Sequence, residues 1–315
     1  MAKPIFVIGI QRSGTTWLAN LLGEHPDIAA VRHEDHHGIH ESGYFKFIDN
    51  RYGDLRVGTN FVEFAETMLA SDYIALTGIS RNFLYDLWPT TYSEAFRAIM
   101  DDYAQRHDAT AWLEKSPMHT LYAEHIASVY PDAVFVGIKR DLSMVMASQM
   151  EMKRGSKTES RSNRSKFIAR HTIRWVHYNR VLDSFAARFP NRIYLTKYEQ
   201  LRADTHDSVK EICEFMGLPF DSDMLGQSFA PNTSHSGKVD RTKILTDKEK
   251  QLMHRTAAMT QLIPHRTLSA FYTAGGKIRG RPELPSWFFK ITRSGLLTPE
   301  DEQEIASNEP KDVSV

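Results

Sequence analysis

The sequence contains almost no cysteine and no long apolar run. Its one cysteine, Cys213, excludes a disulfide within the chain and falls in a predicted helix, where a buried thiol is expected. No apolar stretch reaches the length of a membrane-spanning helix, and the first apolar run, at residues 4–10, is too short for a signal peptide. We therefore expect a cytoplasmic protein without stable membrane insertion.

The sequence also lacks an excess of either charge. Lysine plus arginine and aspartate plus glutamate number 39 each among the 315 residues. Global charge therefore implies neither a nucleic-acid partner nor an anionic membrane surface, and any anion site must be local. Apolar residues make up 41% of the chain, which is enough for a sizeable core.

The stretch from residue 4 to residue 26 has the pattern of a strand, a tight loop and a helix. The loop reads Gly9-Ile10-Gln11-Arg12-Ser13-Gly14-Thr15-Thr16, which is the frame of a phosphate-binding loop. Backbone N–H groups of such a loop converge on an anion at the positive end of the helix dipole. Loops that bind nucleoside triphosphates have lysine directly after the second glycine, but here that residue is Thr15 and the cation is Arg12.

Strand and helix signals alternate along the rest of the chain. Further strands are expected at residues 28–31, 111–113, 133–138 and 192–196, with helices following most of them. The alternation predicts an α/β fold, a P-loop-like parallel sheet flanked by helices, with a helical insertion at about residues 46–110. We expect a single domain over residues 1–297 and a frayed acidic tail over residues 298–315.

A second candidate anion site follows the strand predicted at residues 133–138. Arg140 would project from the carboxyl end of this strand, where open parallel sheets bind ligands. Ser148 lies about two turns into the helix that follows, with Asp141 as its expected N-cap, so Arg140 and Ser148 can face one point. Arginine and a hydroxyl group together suit a phosphate.

The order R-S-G-T-T-W at residues 12–17 resembles the 5′-phosphosulfate loop of the sulfotransferases, which bind 3′-phosphoadenosine-5′-phosphosulfate (PAPS). The resemblance covers residues 4 to about 220 and includes WLEKSP, YPDAVFVGIKRD, KYEQL and FMGLP. It implies that the protein binds PAPS as its cofactor and releases 3′-phosphoadenosine-5′-phosphate (PAP) as a product. The residues it implies for this site are Arg12, Ser13, Gly14, Thr15 and Thr16 at the 5′ end, Arg140 and Ser148 at the 3′-phosphate, Trp17 and Tyr198 at the adenine, and Ser236, Gly237 and Lys238 in a closing loop.

The resemblance also implies a catalytic base near the sulfuryl group. Glu34 is the first choice, because Golgi-type sulfotransferases carry a glutamate a few residues after the first helix, and Glu41 is the second. His33, His36 and His119 are alternatives, since cytosolic relatives use histidine in this role.

Two other patterns have an ordinary explanation. His33 to His37 satisfies the H-E-x-x-H pattern of zinc proteases, but this motif functions on a helix, whereas here it directly follows a strand-like run and is ended by Gly38. Seven basic residues gather at residues 153–170. A solvated face is the preferred interpretation of this segment, and a lid over an anionic ligand is the alternative.

The function implied is transfer of a sulfuryl group from PAPS to a hydroxyl group, or as a second choice an amine, of a small-molecule, carbohydrate or lipid acceptor. A glutamate would accept the acceptor proton, while Arg12 and the loop N–H groups would stabilise the departing phosphate. No metal is expected, because the leaving group is already a phosphate anion. The rivals are a P-loop kinase-like phosphotransferase and a PAP-binding module without catalysis.

Overall fold

A parallel β-sheet forms the centre of the protein. The structure is a computed structural model that describes residues 1–34, 38–153, 161–226, 244–279 and 282–294. Five strands make this sheet, and two short strands form a separate antiparallel ribbon. In chain order the strands are β1 (Lys3–Gly9), β2 (Ile28–Ala30), the ribbon strands β3 (Arg32–His33) and β4 (Gly38–Ile39), β5 (Ala111–Lys115), β6 (Val134–Lys139) and β7 (Ile193–Lys197).

The central sheet has the strand order β2-β5-β1-β6-β7, with every neighbouring pair parallel. Strand β1 lies in the middle, with Ile5 opposite Leu113 of β5 and Val134 of β6. The carboxyl ends of β1, β5, β6 and β7 therefore meet at one edge, where open α/β sheets bind ligands. The predicted α/β fold class is confirmed, and each predicted strand is present within two residues of its expected limits.

Helices cover both faces of the sheet. They are α1 (Thr15–Gly23), α2 (Tyr44–Phe47), α3 (Gly58–Leu69), α4 (Asp72–Thr77), α5 (Arg81–Asp86), α6 (Tyr92–Arg106), α7 (Ala123–Val129), α8 (Leu142–Lys153), α9 (Arg161–Arg188), α10 (Tyr198–Ala203), α11 (Thr205–Met216), α12 (Asp247–Leu262), α13 (His265–Arg279) and α14 (Lys290–Ser294). Short 3₁₀ helices lie at Pro117–Tyr122, Ser222–Gly226 and Ser286–Phe289. Among the described helices, none combines the length and apolar character needed to cross a bilayer.

The alternation of side chains along β1 divides the core into two layers. Phe6 and Ile8 belong to the layer that packs against helices α2 to α7 and α9, whereas Ile5 and Val7 belong to the layer beneath α1 and α11. All four side chains are fully buried, as expected for the central strand of a sheet that is covered on both faces.

The segment predicted as a helical insertion forms helices α2 to α6. Its longest helix, α6, begins with a capping box, in which Thr91 and Glu94 satisfy each other's backbone N–H groups. The limits proposed for the domain and for the acidic tail stay predictions, because residues 295–315 lie outside the described part of the chain.

Candidate active site

The loop between β1 and α1 is folded tightly over its own backbone. The N–H and the hydroxyl group of Ser13 both donate to the carbonyl of Ile10, at 3.0 and 2.7 Å. Arg12 has a φ of 74° and Gly14 a φ of 103°, so both are in the left-handed region. Helix α1 begins at Thr15 without a side-chain cap, and its first N–H groups therefore face the loop.

Arg12 joins the loop to the second candidate anion site. Its Nε donates to Ser148 Oγ at 2.9 Å, and its carbonyl accepts a hydrogen bond from an Arg140 guanidinium nitrogen at 3.1 Å. Arg140 is 5% exposed and Ser148 is 1% exposed. Asp141 caps α8 as expected, since its Oδ1 accepts the N–H groups of Ser143 and Met144. The structure thus brings Arg12, Arg140 and Ser148 together from three elements.

Two aromatic side chains cover the same region. The guanidinium of Arg140 lies 3.8 Å from the ring centre of Tyr198, and Tyr198 meets Trp17 edge-on with ring centres 5.4 Å apart. A Cβ atom on Gly14 would lie 2.5 Å from Tyr198 Cδ2, so only glycine fits beneath this ring. A cavity of about 40 Å³ is lined by Arg12, Gly14, Thr15, Thr16, Trp17, Arg140 and Ser148.

A lysine and a glutamate lie on the other side of the loop. Lys115, the last residue of β5, is 2% exposed, and its Nζ lies 3.0 Å from Glu41 Oε1 and 3.4 Å from Thr16 Oγ1. A buried ammonium group requires such a partner, because leaving its charge uncompensated would be strongly destabilising. The Glu41 side chain keeps 29% exposure, so its carboxylate is in contact with both Lys115 and solvent.

A buried carboxylate positions the segment that carries Glu41. Glu114 Oε1 accepts hydrogen bonds from the N–H and the hydroxyl of Ser42 and from the hydroxyl of Ser116, while Oε2 is 2.7 Å from His119 Nδ1. Burial by itself raises the pKa of Glu114, but His119 and the two hydroxyls outweigh it and hold this pKa below its usual value. Ser42 directly follows Glu41, so the network holds Glu41 beside the loop.

An open cavity of about 390 Å³ lies over the loop and reaches Glu41. It is lined by Gln11, Arg12, Thr15, Thr16, Glu41, Pro117, Gln149, Phe167 and His171. Four of these residues were not predicted as site residues: Gln11, Gln149, Phe167 and His171. Gln11 lies at a variable position of the glycine loop, and the other three lie on α8 and α9 outside any motif. Gln149 follows Ser148 on α8, so the position of the second anion site was the one available signal.

The candidate bases differ in their surroundings. Glu41 lines the cavity, whereas Glu34 is exposed, follows strand β3 and is not one of the lining residues. His33 lies in β3 rather than in the helix that the zinc motif requires, and among the described residues no cluster of acidic, histidine or cysteine side chains could hold a metal ion. His36 lies outside the described residues.

The remaining alternative, His119, is fully buried with both ring nitrogens engaged. Its Nε2 accepts the N–H of Phe45 at 3.2 Å, so Nδ1 carries the proton that faces Glu114. This arrangement leaves no lone pair for a proton from an acceptor, and His119 has a structural role in the Glu114 network.

Two other predicted segments are described in part or not at all. Ser236, Gly237 and Lys238, the expected closing loop, lie outside the described residues. In the basic segment 153–170, residues 154–160 are also outside them, and Arg164 on α9 pairs with Glu249 at 2.8 Å. This ion pair connects α9 to α12 and gives Arg164 a structural role. For the rest of the segment, the preferred solvated face and the alternative of a lid both stay untested.

Fold and site together define an α/β protein with a P-loop-like strand–loop–helix unit and with Arg12, Arg140 and Ser148 clustered at one edge of the sheet. A model of the protein family described as "Sulfotransferase family" matches residues 4–222, well over half of the chain. The chain therefore belongs to the sulfotransferase family of enzymes, as its motifs predict.

Individual relatives are distant. An uncharacterised protein of Aquifex aeolicus is 22% identical over 241 residues, which cover 71% of this chain and 26% of that protein. A putative protein-tyrosine sulfotransferase of Caenorhabditis briggsae is 21% identical over 223 residues, covering 70% of this chain and 68% of that protein. The match thus spans only about a quarter of the Aquifex relative.

Several solved sulfotransferase structures are similar to the chain. Sulfotransferase STF1 of Mycobacterium tuberculosis has a TM-score of 0.48 at 16% identity and covers 82% of this chain and 77% of its own. The sulfotransferase domain from the curacin biosynthetic pathway has a TM-score of 0.46 at 15% identity, and the match covers 98% of this chain and 97% of that domain. Mouse sulfotransferase SULT7A1, complexed with PAP, has a TM-score of 0.47 at 14% identity, and the match covers 85% of this chain and 89% of the mouse chain.

Proposed function

We propose that this protein transfers a sulfuryl group from PAPS to a hydroxyl group of an acceptor bound in the 390 Å³ cavity. Family membership supports the class of reaction. The observation that carries the proposal is the position of Arg12, whose side chain bonds Ser148 and whose carbonyl bonds Arg140. Two anion-binding elements therefore meet at one residue, as a donor with phosphate groups at both its 5′ and 3′ positions requires.

The residues present fit PAPS. The loop N–H groups, the start of α1 and the Arg12 guanidinium suit the 5′ end, and Arg140 with Ser148 suits the 3′-phosphate. Tyr198 and Trp17 offer ring surface for the adenine beside Gly14, where a Cβ atom would fill the space. When bound, PAPS supplies the sulfuryl group and leaves as PAP.

Glu41 is the proposed base, in preference to Glu34. It faces the cavity, lies within an ion pair beside Thr16, and is held in place through Ser42 and Glu114. Its role is to accept the proton of the acceptor hydroxyl group as that oxygen attacks. Lys115 orients the Glu41 carboxylate and adds a fixed positive charge next to the hydroxyl of Thr16.

The proposed reaction uses no metal. Arg12, Arg140 and Lys115 bring three positive charges to the site, where negative charge grows on the departing phosphate.

The cavity has room for a small alcohol, one sugar ring or a lipid headgroup, and its lining combines the amides of Gln11 and Gln149 with the ring of Phe167. A hydroxyl acceptor is favoured over an amine because a protonated amine would be repelled by these cations.

A calorimetric titration with PAP and with ADP, both in EDTA, tests the donor site. We expect PAP to bind at least about tenfold more tightly than ADP, a difference of about 1.4 kcal/mol. Arg140→Ala and the milder Ser148→Ala should remove this difference, whereas Ser143→Ala, on the same helix, should keep it. Equal affinities, or binding seen only with ATP and Mg²⁺, would favour the kinase-like rival.

The base is tested by the rate of PAP release from PAPS in the presence of excess alcohol. Glu41→Gln should lower this rate by at least about 100-fold without weakening PAP binding, and Glu34→Gln should leave the rate within about twofold. His171→Gln is a useful third variant, because His171 lines the same cavity. The opposite ranking of Glu41 and Glu34 would assign the base to Glu34, and the absence of PAP release by the wild-type protein would favour the non-catalytic rival.

A further inference from the structure

Glu41, the proposed base, lies in a stretch of irregular backbone, residues 40–43, between β4 and α2. Because neither a helix nor a strand includes Glu41, its position depends on contacts with other parts of the fold. One set of contacts is formed by the hydrogen bonds from Ser42 to the buried carboxylate of Glu114. A second set comes from Trp287, which lies near the end of the described chain.

Trp287 contacts residues on both sides of Glu41 in the sequence. Its ring centre lies 6.1 Å from that of His40, which directly precedes Glu41, and the two rings are nearly perpendicular. A Cβ atom on Gly43 would lie 3.1 Å from Trp287 Cη2, so the backbone two residues after Glu41 also lies against this ring. Phe47 of α2 meets the same ring edge-on, with ring centres 6.1 Å apart. One side chain thus packs along the whole stretch that carries the base.

Trp287 belongs to a segment, residues 282–294, that is attached to the rest of the fold on either side of it. Before Trp287, a guanidinium nitrogen of Arg51 donates to the carbonyl of Pro282 at 2.8 Å. Directly after it, Phe288 is 2% exposed and belongs to the core layer that packs against helices α2 to α7. The tryptophan is therefore presented by an anchored segment.

A fully buried carboxylate attaches the end of this segment to α4. Asp72 Oδ2 accepts the N–H of Ile291 at 2.9 Å, and Oδ1 accepts the N–H of Thr292 at 3.0 Å and its hydroxyl at 3.1 Å. These donors lie in the first turn of α14, where backbone N–H groups have no partner within the helix. Tyr73, next to Asp72, has its ring centre 5.9 Å from that of His40, so α4 contacts the Glu41 stretch as well.

We propose that Trp287 is a positioning residue for the transfer reaction, holding residues 40–43 so that the Glu41 carboxylate stays in the acceptor cavity beside Lys115. This inference rests on the proposed function, in which Glu41 is the base. Trp287 is not one of the residues that line the two cavities of the site, so it acts through the backbone and not by contact with the reactants. Segment 282–294 also lies outside the part of the chain that the family model matches.

Ordinary core packing is the alternative role for Trp287, and it predicts a different result. A side chain needed only for stability would lower the melting temperature without a selective effect on the rate. A positioning residue would lower the rate at saturating PAPS and leave donor affinity unchanged, because a displacement of about 1 Å at a reacting group can reduce the rate by about 100-fold.

The rate of PAP release at saturating PAPS, with a mixture of small alcohols and sugars as acceptors, separates these roles. In Trp287→Ala, assayed well below its melting temperature, this rate should fall by at least about tenfold, and the affinity for PAP should be unchanged in calorimetry. Trp287→Phe, which keeps an aromatic ring against His40, should recover most of the rate.

Phe189→Ala is the matched control for Trp287→Ala. Phe189 is also a half-buried aromatic residue of the same core layer, but it precedes β7 and lies at the amino ends of the strands, opposite the site. Phe189→Ala should lower the melting temperature and keep the rate within about twofold of the wild type.

Hydrogen exchange followed by mass spectrometry tests the placement without any activity measurement. In Trp287→Ala the amides of residues 40–44 should exchange at least about tenfold faster than in the wild type, while those of residues 9–16 should be unchanged. Asp72→Asn keeps the shape of the side chain but has one oxygen instead of two for the donors of α14, so it should increase exchange over residues 40–44 in the same way. Phe189→Ala should leave this exchange as it is.

Two results would overturn the positioning role. If residues 40–44 exchanged as slowly in Trp287→Ala and Asp72→Asn as in the wild type, Trp287 would not hold this stretch. If exchange increased but the rate fell no more than in Phe189→Ala, the contact would serve stability alone. The proposed function fails on a different observation, a wild-type protein that releases no PAP, and hydrogen exchange would still decide whether Trp287 holds residues 40–44.

Discussion

Gly14 offers a stringent test of the site geometry, because two separate effects oppose any side chain there. Its φ of 103° is strained for alanine, and a Cβ atom would lie 2.5 Å from Tyr198 Cδ2 and 3.0 Å from Cε2. Tyr198 has little freedom to retreat, since Arg140 lies 3.8 Å from its ring centre. Gly14→Ala should therefore force the ring, the arginine or the loop to move.

The expected size of the effect follows from these two contributions. The left-handed backbone costs alanine about 1–2 kcal/mol, and overpacking against the Tyr198 ring adds about 1–3 kcal/mol. Gly78 is a matched control, because it also has a positive φ, of 65°, but its Cβ atom would meet no atom closer than 3.5 Å. Gly14→Ala should therefore lower the melting temperature by about 2–12 °C more than Gly78→Ala does.

Thermal unfolding followed by circular dichroism measures this difference, and a double-mutant cycle identifies its cause. In a Tyr198→Ala background the ring is gone, so the penalty of Gly14→Ala should fall by about 1–3 kcal/mol. PAP binding should be lost in Gly14→Ala and kept in Gly78→Ala. If Gly14→Ala had the same effect with and without the Tyr198 ring, the packing described for this loop would be wrong.

Three further predictions concern buried charged or titratable groups. Lys115→Met should lower kcat by at least about tenfold, as measured by PAP release, because the site loses a fixed positive charge. Glu114→Gln should destabilise the protein by about 2–4 kcal/mol in denaturant titrations, since an amide cannot accept every hydrogen bond that this carboxylate accepts; a smaller change would mean that the network matters little. Burial lowers the pKa of His177 from 6.5 to about 4. The folded protein therefore keeps the imidazole neutral, and its contribution to stability is fully present above pH 6.5 and is lost progressively as the pH falls from 6.5 towards 4. His177→Phe, which keeps a ring against Tyr272, should reduce the loss of unfolding free energy between pH 7 and 4.5, and an unchanged loss would contradict the burial of His177.

Local signals in the sequence were sufficient for the fold and for the placement of Arg12, Arg140 and Ser148 at one edge of the sheet. An apolar run before a glycine loop predicts β1 and α1, and the position of Arg140 at a strand end predicts that it reaches the same edge of the sheet. Ser148 lies about two turns along α8 from Arg140, so both residues face the same edge of the sheet, where each contacts Arg12. These predictions succeed because each depends on residues that are neighbours in the sequence.

The surroundings of the proposed base could not be predicted in the same way. Lys115 and Glu41 are separated by 74 positions, and their contact depends on β5 extending to Lys115, beyond the predicted end of that strand. The preference for Glu41 over Glu34 as the proposed base depends on which residue lines the cavity, and Glu41 is held there through the bonds of Ser42 to Glu114. Such contacts depend on tertiary packing, which carries no short-range pattern.

The most direct test of the central claim is a comparison of donors. The protein is incubated with a mixture of small alcohols, sugars and glycolipids, in one arm with PAPS labelled at sulfur in EDTA, and in the other with ATP labelled at the γ-phosphate and Mg²⁺. We predict PAP release with label transferred to an acceptor in the first arm, and no transfer in the second. Phosphoryl transfer from ATP, with PAPS left intact, would contradict it.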